Sequence, residues 1–201
     1  YAACQQAAAG PIAEGCVGAG TGATLGKLFG IGQAMKSGLG TASVECPGGV
    51  QVAALAVVNA FGDVRDPATG RLLAGARESP ESDRLVDTAA AMRRGVVRRG
   101  YDRENTTLAV VATNARMTKV QATKMAQTAH QGLVRTIVPV HTSLDGDLVI
   151  GLATGSAEGG VEADLNAVGL AAADAVAEAI IRGVKTATSL GGLPAWRDLR
   201  A

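Results

Sequence analysis

The chain has 201 residues and is dominated by small side chains: 39 alanines and 27 glycines stand against one Trp, two Tyr and two Phe. Hydrophobic residues make up 47% of the chain, enough to bury a core, which excludes bulk disorder. The formal net charge of +1 lacks the basic excess of nucleic-acid-binding proteins, and no apolar run is long enough to span a membrane. Neither nucleic acid nor membrane is therefore expected as a partner.

The cysteines and the first residue add two expectations. The chain has an odd number of cysteines, Cys4, Cys16 and Cys46, and none of them are in CxxC spacing. This disfavours a disulfide framework or a zinc site and favours a reducing, cytoplasmic compartment. The chain begins at Tyr1, without Met and without a signal-peptide pattern. We expect it to be a fragment whose N-terminal part lies elsewhere.

In the first half of the chain, residues 1–9 predict a helix that ends at Gly10-Pro11. The glycine-dense stretch 15–49 favours short strands and loops, because glycine permits unusual backbone conformations and close approach. Residues 50–61 are apolar at almost every position, which predicts a strand buried on both faces.

Segment 77–104 differs from its surroundings, since it holds seven Arg and six acidic residues in 28 positions. This composition predicts a solvated connector or a surface helix from Arg84 to Arg94; a specific anion-binding role is the less favoured alternative.

In the second half, strands are predicted over residues 107–113 and 147–153 and helices over residues 118–135 and 162–183. Thr118 followed by Gln121 has the spacing of a capping box, and the last helix carries a regular apolar stripe. Strands and helices are mixed, so the predicted class is a layered α/β or α+β fold.

Several familiar site motifs are absent. In the stretch GAGTGATLGKL, Gly26-Lys27 is followed by Leu28 rather than by Ser or Thr, which excludes a Walker loop. Local sequence alone favours a surface position for Lys27. His130 and His141 belong to no HExxH or catalytic-triad pattern, so they are interpreted as packing or surface residues.

Asn105-Thr106-Thr107 lies where the charged connector ends and an apolar strand begins. Thr at such a place is usually just a strand-forming residue. The same layout suits a chain-terminal nucleophile, because cleavage before Thr106 would expose a hydroxyl and an α-amine at the edge of a rigid strand. An α-amine titrates near ~7.7–8 and can act as the base for its own hydroxyl, so no histidine is required.

Asp145-Gly146-Asp147 has two interpretations. In an extended chain, aspartates two residues apart project to the same side and form a carboxylate pair at the start of a strand. Alternatively, the Asp-Gly pair forms a hairpin turn.

Four blocks give the sequence a family resemblance: GCVGAGTGATLGK (15–27), VVNAFGDV (57–64), NTTLAVVATNARMT (105–118) and PVHTSLDGDLVIGLATG (139–155). Together they resemble the self-cleaving N-terminal-nucleophile amide hydrolases that include L-aminopeptidase/D-esterase, the β-peptidyl aminopeptidases and the nylon-oligomer hydrolase. The resemblance covers essentially the whole chain and is weakest over 77–104.

The resemblance implies self-cleavage between Asn105 and Thr106, with Thr106 as the nucleophile. It places Asn59 as the oxyanion-stabilising amide and Lys27 in the active site, with Asp145 and Asp147 beside the nucleophile. Thr as nucleophile and Asp at both acidic positions resemble the nylon-oligomer-hydrolase branch.

The implied fold is a layered αββα sandwich. Residues 1–105 would form the C-terminal part of an α-chain that includes the charged connector, and residues 106–201 a β-chain, both within one domain. Family members carry a long segment with core strands before the position of Tyr1, so the resemblance implies that part of the fold is absent here. It also implies short peptides or amide oligomers as substrates, a homo-oligomer of αβ units, and neither cofactor nor metal.

Two other functions stay open at this point. Ornithine acetyltransferases share the broader fold and a self-cleaved Thr, so an acyltransferase would differ only in using an amine instead of water as the acceptor. A binding protein without catalysis would keep the chain intact across Asn105–Thr106.

Overall fold

The computed structural model describes residues 1–96, 105–155 and 159–199. The helices are α1 (Ala2–Gln5), α2 (Thr88–Arg93), α3 (Lys119–Thr136) and α4 (Leu165–Thr186). The strands are β1 (Thr24–Leu25), β2 (Met35–Lys36), β3 (Leu39–Cys46), β4 (Val50–Val57), β5 (Asp63–Arg65), β6 (Leu72–Ala74), β7 (Ala76–Arg77), β8 (Leu85–Val86), β9 (Leu108–Arg116), β10 (Ile137–Val138) and β11 (Leu148–Gly155).

The centre of the fold is a four-stranded sheet in the order β11-β9-β4-β3. Strand β9 runs parallel to β11 and antiparallel to β4, and β4 is antiparallel to β3. Helix α4 packs on β3 and β4, helix α3 packs on β11, and the two helices pack against each other. Smaller sheets form from β10-β5-β6, β1-β2 and β7-β8. The mixed α/β class predicted from the sequence is confirmed.

Strand β4 is buried on only one face, so the prediction of burial on both faces is wrong. Val50, Val52 and Ala54 are buried towards the helices, whereas Gln51 and Ala53 are exposed. The neighbouring strands follow the same alternation, which leaves Leu108, Leu148, Ile150 and Leu152 about half exposed on the open face. The apolar composition of the strand therefore reflects small and branched residues on both faces and does not report two-sided burial.

The helices approach the sheet closely because small residues line the contact. A Cβ on Gly40 of β3 would lie 2.2 Å from the Ala179 carbonyl oxygen and 2.3 Å from the Gly183 nitrogen of α4. A Cβ on Gly132 of α3 would lie 2.5 Å from the Ala173 carbonyl oxygen. This packing explains how a chain with so few aromatic side chains closes a core.

The two long helices were predicted correctly. Thr118 is the N-cap of α3 and forms the reciprocal capping box with Gln121, and Asp164 caps α4. The predicted helix 84–94 is shorter, since Leu85 and Val86 pair with β7 and the helix begins only after Asp87. Helix α1 likewise covers only part of residues 1–9. The end of the predicted connector, residues 97–104, lies outside the described residues.

Two broad properties follow from the described parts of the chain. No helix in them has the length and apolar character needed to cross a bilayer. Cys4, Cys16 and Cys46 are all free thiols.

A buried carboxylate joins the smaller sheets to helix α2. Asp63 is fully buried, and its Oδ1 accepts hydrogen bonds from the Ala76 N–H at 3.0 Å and the Thr88 hydroxyl at 2.6 Å, while its Oδ2 accepts from the Thr88 N–H at 2.7 Å. Burial raises the pKa of Asp63 to about 6; the hydrogen bonds from Thr88 and Ala76 oppose this rise. Desolvation outweighs the three donors at this position.

Asp63 should make stability depend on pH. Its pKa is higher in the folded chain than in the unfolded one, so its contribution is largest below pH 4 and is lost as the pH rises through about 6. We expect the free energy of unfolding of the wild type to fall by about 2 kcal/mol relative to Asp63→Asn between pH 4 and pH 7. Denaturant unfolding across this range measures the difference.

Thr88→Val is the matched variant for this prediction. It removes a donor that lowers the pKa of Asp63, so the dependence on pH should become steeper. Identical pH dependence in the wild type and Asp63→Asn would contradict the assignment.

Candidate active site

The register of the central sheet brings three chain segments together at one edge. Val57 pairs with Leu108, and Leu148 pairs with Leu108 from the other side. Continuing these pairings beyond the strand ends sets Asn59 opposite Thr106, and a bridge pairs Asn105 with Asp145. Residues 145–147 thus run parallel to 105–107 and do not form the hairpin that Asp-Gly allowed.

The peptide bond between Asn105 and Thr106 is held on both sides. The Thr106 N–H donates to the Asn59 carbonyl oxygen at 2.8 Å. The Asn105 carbonyl oxygen accepts from the Gly146 N–H at 2.9 Å and from the Thr106 hydroxyl at 2.7 Å. A hydroxyl, the carbonyl that precedes it and a backbone donor to that carbonyl are therefore in direct contact.

Lys27 is buried rather than exposed on a loop, so the position favoured by local sequence is wrong. Its side chain is 6% accessible, and Nζ donates to Asn59 Oδ1 at 2.7 Å. The Thr24 N–H donates to the same oxygen at 3.2 Å. Since an ammonium and an N–H both need an acceptor, these contacts assign Oδ1 and fix the orientation of the Asn59 amide.

A close backbone contact places Lys27 at this depth. Gly26 has φ +72°, and a Cβ there would lie 2.1 Å from the Ala76 nitrogen. The Gly26 and Lys27 N–H groups donate to the carbonyl oxygens of Gly62 and Phe61. Only glycine fits this approach, so part of the glycine-rich block serves to bring the lysine under the sheet edge.

Asp145 connects the loop after β4 to the loop before β11. Its Oδ1 accepts from the Phe61 N–H at 3.1 Å, and its Oδ2 accepts from the Thr142 hydroxyl at 2.7 Å and the Thr142 N–H at 3.2 Å. Asp145 thus lies near Thr106 but binds backbone and hydroxyl groups of its neighbouring loops.

Asp147 holds the other side of the segment around Thr106. Its side chain is 2% accessible, and Oδ1 accepts from the Thr107 N–H at 2.8 Å. Its Oδ2 lies 3.1 Å from Nδ1 of His141 and 3.3 Å from the backbone nitrogen of the same residue. His141 was interpreted as a packing or surface residue, and its contact with a site carboxylate has no local sequence signal.

The segment around the bond is buried and incompletely satisfied. Asn105 and Thr107 are buried, and Asn105 Oδ1 and Thr107 Oγ1 have no hydrogen-bond partner among the described residues. Asn105 Nδ2 donates to the Leu144 carbonyl oxygen at 3.1 Å. Thr106 lies between Asn105 and Thr107 in the chain, and a Cβ on Gly146 would lie 2.9 Å from its hydroxyl oxygen.

A cleft of about 520 Å³ opens over these groups. Its lining combines Lys27, Asn59, Asn105 and Thr106 with small or apolar residues, namely Ala19, Gly22, Ala23, Thr24, Ile31, Val57 and Leu108. The structure therefore places Lys27, Asn59 and Thr106 in one cleft, with Asp145 and Asp147 supporting its wall. Sequence reasoning missed the Gly146 N–H, Thr24 and His141.

Comparisons with known proteins identify the family of the chain. The model of peptidase family S58 matches residues 1–195. An uncharacterized aminopeptidase of Mycobacterium tuberculosis is 42% identical over 218 residues, covering 99% of this chain and 60% of the relative. A 6-aminohexanoate-oligomer endohydrolase of Kocuria sp. is 29% identical, covering 92% of this chain and 54% of the relative.

Among solved structures, the L-aminopeptidase D-Ala-esterase/amidase of Ochrobactrum anthropi, a variant of the Ntn hydrolase fold, is similar with a TM-score of 0.61 and 25% identity. The match covers 93% of this chain and 48% of that one. These findings confirm the resemblance and the fold type expected from the sequence. The chain spans about half to three fifths of the length of the relatives named here.

The role of Asp145 as a loop connector can be tested through stability. Asp145→Ala would remove the acceptor of the Phe61 N–H and of both Thr142 donors, so we expect the free energy of unfolding to fall by about 2 kcal/mol. Ser143→Ala, an exposed change in the same loop, should leave stability within about 0.5 kcal/mol of the wild type. Equal stability of the two variants in denaturant unfolding would contradict this role.

Proposed function

Because the chain belongs to peptidase family S58, we propose that it is an amide hydrolase that cuts itself between Asn105 and Thr106 and then uses Thr106 as an N-terminal nucleophile. The observation that carries the proposal is the contact between the Thr106 hydroxyl and the Asn105 carbonyl, with the Gly146 N–H on the same oxygen.

Self-cleavage would begin when Thr106 Oγ1 attacks the carbonyl carbon of Asn105. The negative charge that develops on the carbonyl oxygen faces the Gly146 N–H. Collapse breaks the C–N bond, and the hydroxyl proton ends on the leaving nitrogen, which gives an ester on Thr106 and a free α-amine. Water then hydrolyses the ester to an Asn105 carboxylate and restores the Thr106 hydroxyl.

Turnover would reuse the same hydroxyl with a different base. The new α-amine, whose pKa lies near ~7.7–8 in model peptides, accepts the hydroxyl proton while Oγ1 attacks a substrate amide. The protonated amine gives its proton to the leaving amine, which leaves an acyl group on Thr106. Water attacks this acyl-enzyme and releases the carboxylic acid.

Asn59 is assigned to the substrate oxyanion. Its Oδ1 is held by Lys27 and Thr24, so the donor end of the amide, Nδ2, has a fixed direction within the cleft. A preorganised donor of this kind stabilises a charge that forms only in the transition state. Lys27 then acts by orienting the amide and by its positive charge close to the reacting carbonyl.

The two aspartates are assigned to supporting roles in the proposed enzyme. Asp147 accepts a hydrogen bond from the Thr107 N–H, and Thr107 directly follows the residue that would carry the new α-ammonium. Asp145 accepts a hydrogen bond from the Phe61 N–H and so fixes the loop that carries Asn59. Removal of either should loosen the nucleophile without removing a reacting group.

The proposed substrates are short peptides, β-peptides or 6-aminohexanoate oligomers, by likeness to the named relatives. Residues 1–105 and 106–201 would then be the two chains of one domain, since β4 and β9 are neighbours in a single sheet. Assembly of such αβ units into a homo-oligomer and a cytoplasmic location remain predictions.

Thr106→Ala tests the nucleophile. The wild-type protein should show a chain that begins at Thr106 by N-terminal sequencing and intact mass, and Thr106→Ala should remain uncut and inactive. Thr106→Ser keeps a hydroxyl and should retain both cleavage and measurable hydrolysis. A single unbroken wild-type chain would sink the proposal, as would cleavage of an aminoacyl anilide by Thr106→Ala.

The acceptor and the substrate class are separated by parallel assays. Aminoacyl p-nitroanilides, β-peptides and aminohexanoate oligomers are offered with and without a large excess of amine acceptor. Release of free acid at an unchanged rate supports a hydrolase, whereas product formation only with the amine identifies an acyltransferase.

Gly146→Ala tests the geometry of self-cleavage. The added Cβ would lie 2.9 Å from Thr106 Oγ1 and must displace the hydroxyl from the Asn105 carbonyl. We expect self-cleavage to slow on the order of 10- to 100-fold, because small displacements of reacting atoms have large effects on rate. Gly32→Ala, where a Cβ meets nothing within 4 Å, is the matched control and should cleave normally. Normal processing of Gly146→Ala would contradict the proposed attack geometry.

A further inference from the structure

The side chain of Asp147 is buried beside the proposed nucleophile, and the oxygens of a buried carboxyl group need hydrogen-bond donors. Within the described part of the chain, its hydrogen bonds come from the Thr107 N–H on one oxygen and from two groups of His141 on the other. His141 is therefore the only side chain among these partners, and it approaches from the side opposite Thr107.

The backbone of His141 is arranged for this contact. Its φ is +54°, the one positive value at a non-glycine position among the described residues. This conformation is uncommon for a residue with a Cβ. Here it directs both the backbone N–H and the ring Nδ1 to the same oxygen of Asp147, so the unusual backbone and the side chain serve one acceptor.

A second histidine lies behind the first. His130 Nδ1 on helix α3 is 3.3 Å from His141 Nε2, and the ring centroids are 5.0 Å apart. Burial is the main cause that lowers the pKa of His130, and nearby His141 lowers it further. A neutral His141 that carries its proton on Nδ1 accepts a hydrogen bond from His130 at Nε2, and a cationic His141 donates a hydrogen bond there. In both states the Nδ1–H of His141 donates to Asp147.

We propose that His141 is a positioning residue for Thr106, which acts through Asp147 and is itself oriented by His130. The Nδ1–H donor holds the carboxylate of Asp147 in the position from which it accepts the Thr107 N–H. The segment that carries the nucleophile is thereby fixed from the side away from the cleft. This inference rests on the proposed function, because it assigns a role relative to the Thr106 nucleophile.

Two substitutions separate the ring donor from the backbone conformation. His141→Asn keeps a side-chain N–H donor close to the place of Nδ1 and tolerates positive φ, whereas His141→Gly tolerates the same φ and keeps only the backbone N–H donor. We expect His141→Gly to lower kcat on the order of 10- to 100-fold with KM little changed, since His141 does not line the cleft. His141→Asn should recover most of the loss.

The kinetic outcomes decide between a positioning and a merely structural role. Full kcat in His141→Gly overturns the inference, and so does an Asn variant as slow as the Gly variant. Both variants are also compared by thermal unfolding, and a loss of kcat that only follows a lower Tm counts against positioning.

A measurement without turnover keeps this inference separate from the proposed function. In the full protein with ¹⁵N-labelled histidine, the Nδ1 of His141 should carry a proton near neutral pH, and the signal should change in Asp147→Asn. An unprotonated Nδ1 overturns the inference even in an active enzyme. A protonated Nδ1 in a protein that cleaves neither itself nor any amide supports the contact and rejects the proposed function.

Discussion

The pairing register of strand β9 with its two neighbours is the constraint on which the site depends. Asn59, Thr106 and Gly146 lie in one row across the sheet edge because Leu108 pairs with both β4 and β11 at a fixed position. A slip by one residue would turn every buried side chain of β9 to the other face, so burial of residues such as Val111 holds the register. Core packing several residues away therefore fixes the geometry around the Asn105–Thr106 bond.

Small side chains allow the helices and the sheet to pack closely in a chain with few aromatic residues. Glycine on β3 and on α4 allows backbone contact between helix and sheet, and Gly26 allows the loop with Lys27 to pass against β7. The same closeness leaves Asp63 fully buried, where desolvation raises its pKa to about 6 despite three donors. Stability and site geometry therefore draw on the same tight packing.

The sequence predicts the elements whose signals are local and misses those set by distant contacts. The capping box of Thr118 and Gln121 and the apolar stripe of α4 identify both long helices, because their hydrogen bonds form within a few residues. Burial of only one face of β4 depends on what packs against the sheet, which apolar composition does not report. Lys27 meets Asn59 across 32 positions, and His141 meets Asp147 only through an unusual backbone turn. The family resemblance, and not the local pattern, predicted that Lys27 lies close to Asn59 and Thr106, with which it lines one cleft.

In the proposed mechanism, self-cleavage creates two charges at the Asn105–Thr106 bond. The uncut bond is neutral, but hydrolysis creates an ammonium on Thr106 and a carboxylate on Asn105. The ammonium stays beside the Asn59 carbonyl oxygen, which already accepts the Thr106 N–H. The carboxylate forms on a residue that is 2% accessible and whose Oδ1 has no hydrogen-bond partner among the described residues, so hydration favours its departure. The cut end would therefore be driven outward by the charge that the cut creates, which makes rejoining unfavourable and clears the nucleophile for a substrate.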